Sequence, residues 1–175
     1  MTAGDVRPVV LLGLMGSGKT TVARLVAKAL GRPMRDSDDE LEATYGLSAA
    51  EQVARHGKDV LHQRESQQLR QALADQRAPV VAAAASVVED PACRAALGDA
   101  FVVWLDAPAA VLADRMREGI HRPHYRRDLA QMLTEQYQRR APWFRQVADL
   151  RVDVATLPPR RVAEQVVAAL AATTP

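Results

Sequence analysis

The sequence is poor in cysteine, in net charge and in long apolar runs. Cys93 is the single cysteine among 175 residues, so an internal disulfide is excluded and a reducing compartment, the cytoplasm, is expected. The net charge of +2 predicts neither a nucleic-acid partner nor a membrane partner. The longest apolar runs, residues 9–15 and 80–88, are too short to cross a bilayer.

What the sequence does contain is enough apolar material for a core. Hydrophobic residues make up 48% of the chain and charged residues 25%, which is ordinary for a globular protein. A length of 175 residues fits one compact domain, and no linker, repeat or low-complexity tract divides it. We therefore expect a single domain over residues 1–175, and a monomer.

The most specific stretch is Gly13-Leu14-Met15-Gly16-Ser17-Gly18-Lys19-Thr20, with the spacing G-x-x-x-x-G-K-[ST] of a phosphate-binding loop. An apolar run precedes it and a helical pattern follows from Thr21. Glycines let backbone N–H groups turn toward a phosphate, Lys19 adds positive charge there, and the Thr20 hydroxyl ligates Mg²⁺. The alternative is a chance glycine turn before a helix, but spacing, lysine and hydroxyl all agree. We expect a nucleoside triphosphate at this loop.

Apolar strand patterns alternate with helical patterns along the chain. The predicted strands cover residues 8–12, 33–35, 80–84, 101–105 and 150–154. The predicted helices cover residues 21–30, 38–44, 48–56, 58–74, 90–97, 108–117, 128–140 and 159–172. Such alternation predicts an α/β fold, with a five-stranded parallel sheet in a three-layer α/β/α arrangement.

Asp36 and Asp38 follow the second predicted strand, two residues apart. In an extended segment such residues face the same side. One carboxylate could hold the magnesium shell, and the other could accept a hydroxyl proton or bind substrate hydroxyls. Helix capping is the alternative, and it explains Asp38 better than Asp36. Asp106 is a rival metal carboxylate, because it ends an apolar strand.

Arginines cluster around a segment of poor periodicity late in the chain. They are Arg115, Arg117, Arg122, Arg126 and Arg127. Phosphoryl transfer needs cations on the phosphates and exclusion of water, and an arginine-bearing loop that closes over the nucleotide supplies both. We expect a mobile lid at about residues 118–127, with Arg122 as its functional arginine. A solvated basic surface is the alternative for most of the others.

With these residues in place, the chain resembles the shikimate kinase family over nearly its whole length. The matching motifs are residues 13–20, Asp36-Ser37-Asp38, residues 57–65, Arg122-Pro123, Arg140-Ala141-Pro142-Trp143-Phe144, Ala148 and Val152-Asp153. The resemblance implies a phosphate-loop kinase fold of the nucleoside-monophosphate-kinase type. It also implies ATP-dependent phosphorylation of a ring hydroxyl on a small carboxylated polyol, with shikimate as the first candidate.

The resemblance also implies roles for individual residues. ATP would be bound by Gly13, Gly16, Ser17, Gly18, Lys19, Thr20, Thr21 and Arg115, with Thr20 and Asp36 serving Mg²⁺. Catalysis would depend on Lys19, Asp38 and Arg122. The acceptor would be bound by Asp38, His62, Glu65, Ala84, Ala85 and Arg140. Asp38 would help activate the attacking hydroxyl, and Arg140 would bind the acceptor carboxylate.

The chain departs from the family pattern twice, both times at the acceptor site. His62 stands where the family has a second arginine on the carboxylate, and a histidine cannot form a guanidinium fork. Arg64 cannot replace it, since two residues on a helix are about 200° apart. Ala84-Ala85-Ser86 stands where the family has three glycines. Alanine does not readily adopt positive φ, so the turn must differ or the pocket must be smaller.

These departures leave several functions open. The protein is a weak shikimate kinase, a kinase for a related polyol or sugar acid, or a nucleotide-binding protein without kinase activity. Retention of Lys19, Asp36, Asp38 and Arg122 argues against the last. A nucleoside monophosphate kinase is a weaker alternative, because no paired arginines with an aromatic platform for a base precede Val80.

Overall fold

A five-stranded parallel sheet runs through the computed structural model, which describes residues 6–118 and 129–173. The strands are β1 (Val9–Leu12), β2 (Met34–Asp36), β3 (Val80–Ala82), β4 (Phe101–Asp106) and β5 (Leu150–Asp153). Their order across the sheet is β2-β3-β1-β4-β5. Since β1 lies in the middle, the loop that follows it leaves from the centre of the sheet edge, where ligands of α/β folds bind. The predicted α/β fold is confirmed.

Helices cover the sheet and connect its strands. They are α1 (Lys19–Leu30), α2 (Ser37–Tyr45), α3 (Ala49–His56), α4 (Lys58–Leu73), α5 (Pro91–Ala96), α6 (Ala109–Glu118), α7 (Leu129–Val147) and α8 (Pro159–Thr173), with 3₁₀ turns at Ala85–Glu89 and Leu97–Asp99. All four side chains of β1 are fully buried, as expected of a strand covered on both faces. Within the described ranges, no helix is both long and apolar enough to cross a membrane.

Several helix ends follow directly from local sequence. Gly31 ends α1 in the left-handed region with φ 63°, which a glycine adopts at no steric cost. Ser48 and Glu51 form the predicted capping box of α3, in which each side chain satisfies the other's backbone N–H. Gly57 separates α3 from α4, as predicted.

Most predicted boundaries lie within one or two residues of the observed ones, and two of the differences have a clear structural cause. β3 ends at Ala82 and not at Ala84, because the chain turns there into the 3₁₀ segment Ala85–Glu89. α7 does not end at Arg140 but continues through Pro142 to Val147. A proline inside a helix removes one N–H hydrogen bond and causes a local steric clash. Here that cost is outweighed because Phe144 is buried against Trp104, with ring centroids 5.6 Å apart.

The single cysteine of the chain lies at the contact between helices α5 and α4. Cys93 is fully buried, and its thiol lies 3.5 Å from the Ser66 carbonyl oxygen of α4 and 3.5 Å from the Asp90 carboxylate. Burial raises the pKa of this thiol. The predicted lid falls largely outside the described residues, apart from Glu118 at the end of α6. The single domain over residues 1–175 stays a prediction.

Candidate active site

The loop after β1 is held against neighbouring backbone at two glycines. Gly13 has φ 150°, and a Cβ added there would lie 2.6 Å from the Leu105 carbonyl oxygen of β4. Gly16 has φ 82°, and its Cβ would lie 2.9 Å from the Leu112 carbonyl oxygen of α6. Only glycine fits either position, because both the conformation and the space exclude a side chain. The loop geometry is therefore fixed by β4 and α6 as well as by its own sequence.

The loop leaves polar groups available to a ligand. Gly18 is the N-cap of α1 and makes no capping hydrogen bond through a side chain, so the first N–H groups of the helix lack that partner. Ser17 is 2% exposed, and its hydroxyl has no hydrogen-bond partner among the described residues. A helix N-terminus with adjacent unpaired donors favours an anion, so this loop fits a phosphate group.

Lys19 lies back across the loop. Its Nζ donates to the Gly13 carbonyl oxygen at 2.7 Å and to the Leu14 carbonyl oxygen at 3.2 Å. Burial lowers the pKa of Lys19 to about 8, although the carboxylates of Asp38 and Asp36 act in the opposite direction. The ammonium group is thus positioned over the loop in a partly desolvated site, where an anionic ligand would restore its pKa.

Asp36 connects the loop to the end of β2. Its Oδ2 accepts from the Thr20 hydroxyl at 2.7 Å, and its Oδ1 accepts from the Asp38 backbone N–H at 3.0 Å. Asp36 is therefore the N-cap of α2, although capping was predicted to explain Asp38 better than Asp36. Asp38 lies inside α2 and not in an extended segment, so the reason given for pairing the two carboxylates was wrong. Their charges nevertheless both act on Lys19.

The oxygen donors at this point suit magnesium. Thr20 and Asp36 present a hydroxyl and a carboxylate, and in residues 6–118 and 129–173 no group of three or more His, Cys, Asp or Glu side chains is arranged to hold a metal ion by itself. Mg²⁺ is commonly held by one or two carboxylates together with substrate phosphates and water. The donor set therefore fits a magnesium ion that arrives with a nucleotide.

Asp106 is engaged elsewhere. Its Oδ2 accepts from Arg151 Nε at 2.8 Å and Arg151 Nη2 at 2.5 Å, and the Tyr137 hydroxyl lies 3.4 Å away. The contacts with Arg151 join β4 to β5, and the contact with Tyr137 joins β4 to α7. The rival metal carboxylate of the sequence analysis thus takes part in an ion pair between strands.

An open cleft of about 410 Å³ lies beside the loop. Its walls are formed by Gly16, Ser17, Gly18, Thr21, Val22, Arg115, the segment 154–159 and Val162. Arg115 donates to the carbonyl oxygens of Val154 and, at 3.2 Å, of Ala155, and so holds this segment against the loop. Arg115 and Thr21 were predicted from the sequence, whereas the 154–159 wall, which belongs to no motif, was not.

Arg140 lies in the same site, on α7. Its side chain is buried, its Nε donates to Glu89 Oε1 at 2.6 Å, and its Nη1 donates to Gln136 Oε1 at 3.2 Å. The charge of Arg140 lowers the pKa of Lys19, which indicates that the two cations face a common space. Glu89 was not identified from the sequence, since it is 51 residues from Arg140 and belongs to no motif.

Glu65 is the second buried carboxylate of this region. It accepts a short hydrogen bond from the Ser86 hydroxyl. Burial raises the pKa of Glu65 to about 7, and the negative charge of Asp38 acts in the same direction. Its other electrostatic neighbours are Arg140 and Lys19, so Glu65 joins the loop to the Arg140 side of the site.

The Ala84-Ala85-Ser86 segment avoids the conformation that alanine disfavours. Ala84 is extended with φ −62° and ψ 143°, and Ala85 begins the 3₁₀ segment. Among the described residues, Ala78 is the one non-glycine with positive φ. The expectation that this turn differs from that of the family, or that the pocket is smaller here, stays a prediction.

His62 and Arg64 diverge along α4, as predicted. Burial and the nearby charges of Arg140 and Lys58 lower the pKa of His62, so the imidazole is neutral at neutral pH. Arg64 instead stacks on the Tyr45 ring at 3.8 Å and donates to Gln52 at 2.8 Å, toward α2 and α3. Arg64 therefore does not take the place of an arginine at position 62.

Most of the late arginines lie beyond what the structure describes. Arg122, Arg126 and Arg127 fall in the segment 119–128, outside the described residues. Arg117 pairs with Asp114 at 2.9 Å on the exposed face of α6, as the basic-surface alternative predicts.

Comparisons with known proteins agree on one family. The family model of shikimate kinase matches residues 15–171. The chain is 38% identical to a shikimate kinase of Aromatoleum aromaticum over 83% of each chain, and 35% identical to one of Mycobacterium tuberculosis over 95% of this chain and 94% of that protein. Its structure is similar to that of a shikimate kinase from Acinetobacter baumannii in complex with shikimate, with a TM-score of 0.87, 27% identity, and coverage of 95% and 94% of the two chains.

Proposed function

Because the chain belongs to the shikimate kinase family, we propose that it transfers the γ-phosphoryl group of ATP to the 3-hydroxyl of shikimate, which gives shikimate 3-phosphate and ADP. Family membership makes the chain a small-molecule kinase. The observation that carries the proposed acceptor is the match, over nearly the whole fold, to a shikimate-bound shikimate kinase. We further propose a single-domain monomer that acts in the cytoplasm, in aromatic amino acid biosynthesis.

We assign the phosphates of ATP to the loop after β1. Backbone N–H groups between Gly13 and Gly18, the unpaired Ser17 hydroxyl and the α1 N-terminus would donate to them. Lys19 would exchange its carbonyl partners for phosphate oxygens. The adenosine would lie in the cleft beside Thr21 and Arg115. Mg²⁺, when bound, would neutralise phosphate charge, and Thr20 and Asp36 would hold it.

The transfer itself needs one bond made and one bond broken. The acceptor oxygen forms a bond to the γ-phosphorus while the bond from that phosphorus to the bridging oxygen of ADP breaks. We assign the hydroxyl proton to Asp38, and this assignment is supported by the action of its charge on both Lys19 and Glu65. Lys19 stabilises the charge that develops on the phosphates, and Arg122 would add to it.

The acceptor would lie between the loop and α7. Arg140 is the buried cation available for its carboxylate. Glu65, His62, Ala84 and Ala85 would form the surrounding wall. A neutral cyclitol is a second candidate acceptor, because Arg140 already has a carboxylate partner and His62 is neutral.

The experiment is a coupled measurement of ADP release with ATP·Mg²⁺ and a panel of acceptors. The panel contains shikimate, related ring acids, neutral cyclitols and the four nucleoside monophosphates. We expect saturable stimulation by shikimate and a single phosphate ester at its 3-oxygen by ³¹P NMR. No stimulation at millimolar shikimate would contradict the proposed acceptor, and stimulation by a cyclitol would favour the second candidate.

Asp38→Asn tests the chemical step, and Asp39→Asn is its matched control. Asparagine keeps the size of the side chain but cannot accept the proton. We expect kcat to fall by about 10²–10⁴-fold with little change in ATP affinity. Asp39→Asn, an exposed neighbour on the same helix, is expected to leave both unchanged.

A further inference from the structure

We propose that Glu89 is a specificity-determining residue of the acceptor site: a carboxylate of the protein itself that occupies Arg140 and must be displaced by the carboxylate of the acceptor. This inference rests on the proposed function, since it takes shikimate as the acceptor and Arg140 as its anchor. It adds a competitor inside the site, which no motif of the chain indicates.

The two partners of this ion pair differ in their freedom to move. The Arg140 side chain is 5% exposed and is also held by Gln136 at 3.2 Å, whereas the Glu89 side chain is 28% exposed. Glu89 ends the 3₁₀ segment after Val87 and Val88, both of which are fully buried. The backbone at Glu89 is therefore anchored and its side chain reaches solvent. Displacement therefore means breaking the ion pair and rotating the glutamate side chain, with no movement of the backbone.

The electrostatic need for Glu89 comes from the burial of Arg140. A buried guanidinium without a carboxylate is unfavourable, so a partner is required whenever the acceptor is absent. The carboxylate of an acceptor can also neutralise Arg140, but it then replaces the ion pair with Glu89 and adds no new one. Its net contribution to binding is accordingly smaller than for an arginine without such a partner.

The surroundings favour exchange at this position. His62, which also feels the charges of Arg140 and Glu89, is neutral and offers no second cation for two carboxylates to share. Arg139, exposed on α7, also acts on Glu89, so a displaced glutamate has a cation on the protein surface nearby. One buried cation, two carboxylates and one exposed cation are the components of an exchange.

The test is Glu89→Gln, which keeps the shape of the side chain and removes its charge. We expect KM for shikimate to fall by about 10-fold with kcat nearly unchanged, because the competing charge is gone. The KM of a neutral analogue, shikimate methyl ester, should not fall. The preference for acid over ester, as a ratio of kcat/KM values, should therefore rise by about 10-fold. A purely structural Glu89 would not move that ratio.

Glu164→Gln is the matched control. Glu164 forms an exposed ion pair with Arg161 on α8 at 2.9 Å, so its neutralisation changes the net charge equally but away from the site. We expect no change in either KM. Glu89→Asp, which retains the charge on a shorter side chain, should keep the low preference for the acid, and it serves as the second variant if glutamine disturbs folding.

The outcomes separate this inference from the proposed function. If the wild type turns over shikimate and Glu89→Gln has the same KM and the same acid-to-ester ratio, the inference is overturned alone. If the wild type shows no turnover, calorimetric titration with shikimate decides: tighter binding by Glu89→Gln supports exchange, and equal or absent binding by both proteins overturns it together with the proposed function.

Discussion

The nucleotide side and the acceptor side of the candidate site are prepared for their ligands in opposite ways. On the nucleotide side, the Ser17 hydroxyl has no partner in the described part of the chain, and α1 begins without a side-chain cap. On the acceptor side, Arg140 is paired with Glu89, and Glu65 is paired with Ser86. Apart from Lys19, which exchanges its two carbonyl partners, the nucleotide side therefore gains hydrogen bonds when its ligand arrives, whereas the acceptor side must exchange bonds it already has.

The difference has a physical cause. A phosphate carries enough charge to be bound by backbone N–H groups, whose positions a short motif determines. A small polyol acid needs side chains from distant parts of the chain, and while it is absent those side chains need partners of their own. Affinity on the nucleotide side should thus depend on loop geometry, and affinity on the acceptor side should depend on charge balance.

Lys19→Met tests the nucleotide side most directly. We expect kcat to fall by about 10³-fold, because the charge over the phosphates is lost. The free energy of unfolding should rise at pH 7 by up to about 3 kcal/mol. The lowered pKa of Lys19 means that its charge destabilises the folded state, and methionine removes that charge. This gain should shrink between about pH 8 and the ordinary lysine pKa of 10.5, where the folded protein has already released the proton.

The measurements are steady-state kinetics and urea unfolding at pH 7 and pH 10. Lys28→Met, at an exposed position in α1, is the control and should change neither quantity appreciably. If Lys19→Met kept its activity, the proposed role of this loop in phosphoryl transfer would be contradicted.

Gly13→Ala tests whether loop geometry is fixed by its neighbours. The added Cβ would lie 2.6 Å from the Leu105 carbonyl oxygen at a positive φ, so we expect a loss of about 3 kcal/mol in the free energy of unfolding. Gly46→Ala, also at positive φ but in open space, should cost only about 1 kcal/mol. Equal losses in urea titrations of the two variants would contradict the close approach to β4.

Glu65→Gln tests the charge balance of the acceptor side. Because the pKa of Glu65 is raised to about 7, the folded protein keeps a proton that the unfolded chain loses near pH 4.5. Wild-type stability should therefore fall, relative to the variant, by about 2–3 kcal/mol as the pH rises from 4.5 to 7, and then stay constant. Unfolding curves of both proteins at pH 5 and pH 8 measure this difference. If the free energies of unfolding of the two proteins changed equally with pH, the pKa of Glu65 would not be raised in the folded protein.

His62→Arg restores a cation beside Arg140. We expect KM for shikimate to fall by about 10-fold, since an added guanidinium can bind the acceptor carboxylate while Glu89 keeps its own partner. His56→Arg, the same change at an exposed site on α3, should have no effect. An unchanged KM in His62→Arg would indicate that the Ala84-Ala85-Ser86 turn, and not His62, limits the binding of shikimate. Shikimate titrations of all three proteins at pH 7.5 provide the comparison.

Sequence reasoning was most successful where neighbours in the chain determine the structure. The phosphate loop, the Ser48–Glu51 capping box and the cap at Gly31 each depend on residues within a few positions. Their physical causes are local hydrogen bonds and permitted φ values, which residue types reveal directly.

It was least successful where tertiary packing decides. The helix was predicted to end at Arg140, but the burial of Phe144 keeps α7 continuous through Pro142. The Glu89–Arg140 pair joins residues 51 positions apart, and an isolated glutamate carries no signal of its partner. Asp36 shows an intermediate case: its place near Thr20 was predicted, while its capping of α2 was underestimated.

Cys93 gives this protein a built-in chemical reporter. The thiol is fully buried between α4 and α5, four residues after Glu89 in the chain, and it can react with an alkylating reagent only when that packing opens. As the sole sulfhydryl of the sequence, it would label without mutagenesis or background from a second cysteine. Its alkylation rate would measure how often the acceptor edge opens, separately from the phosphate loop.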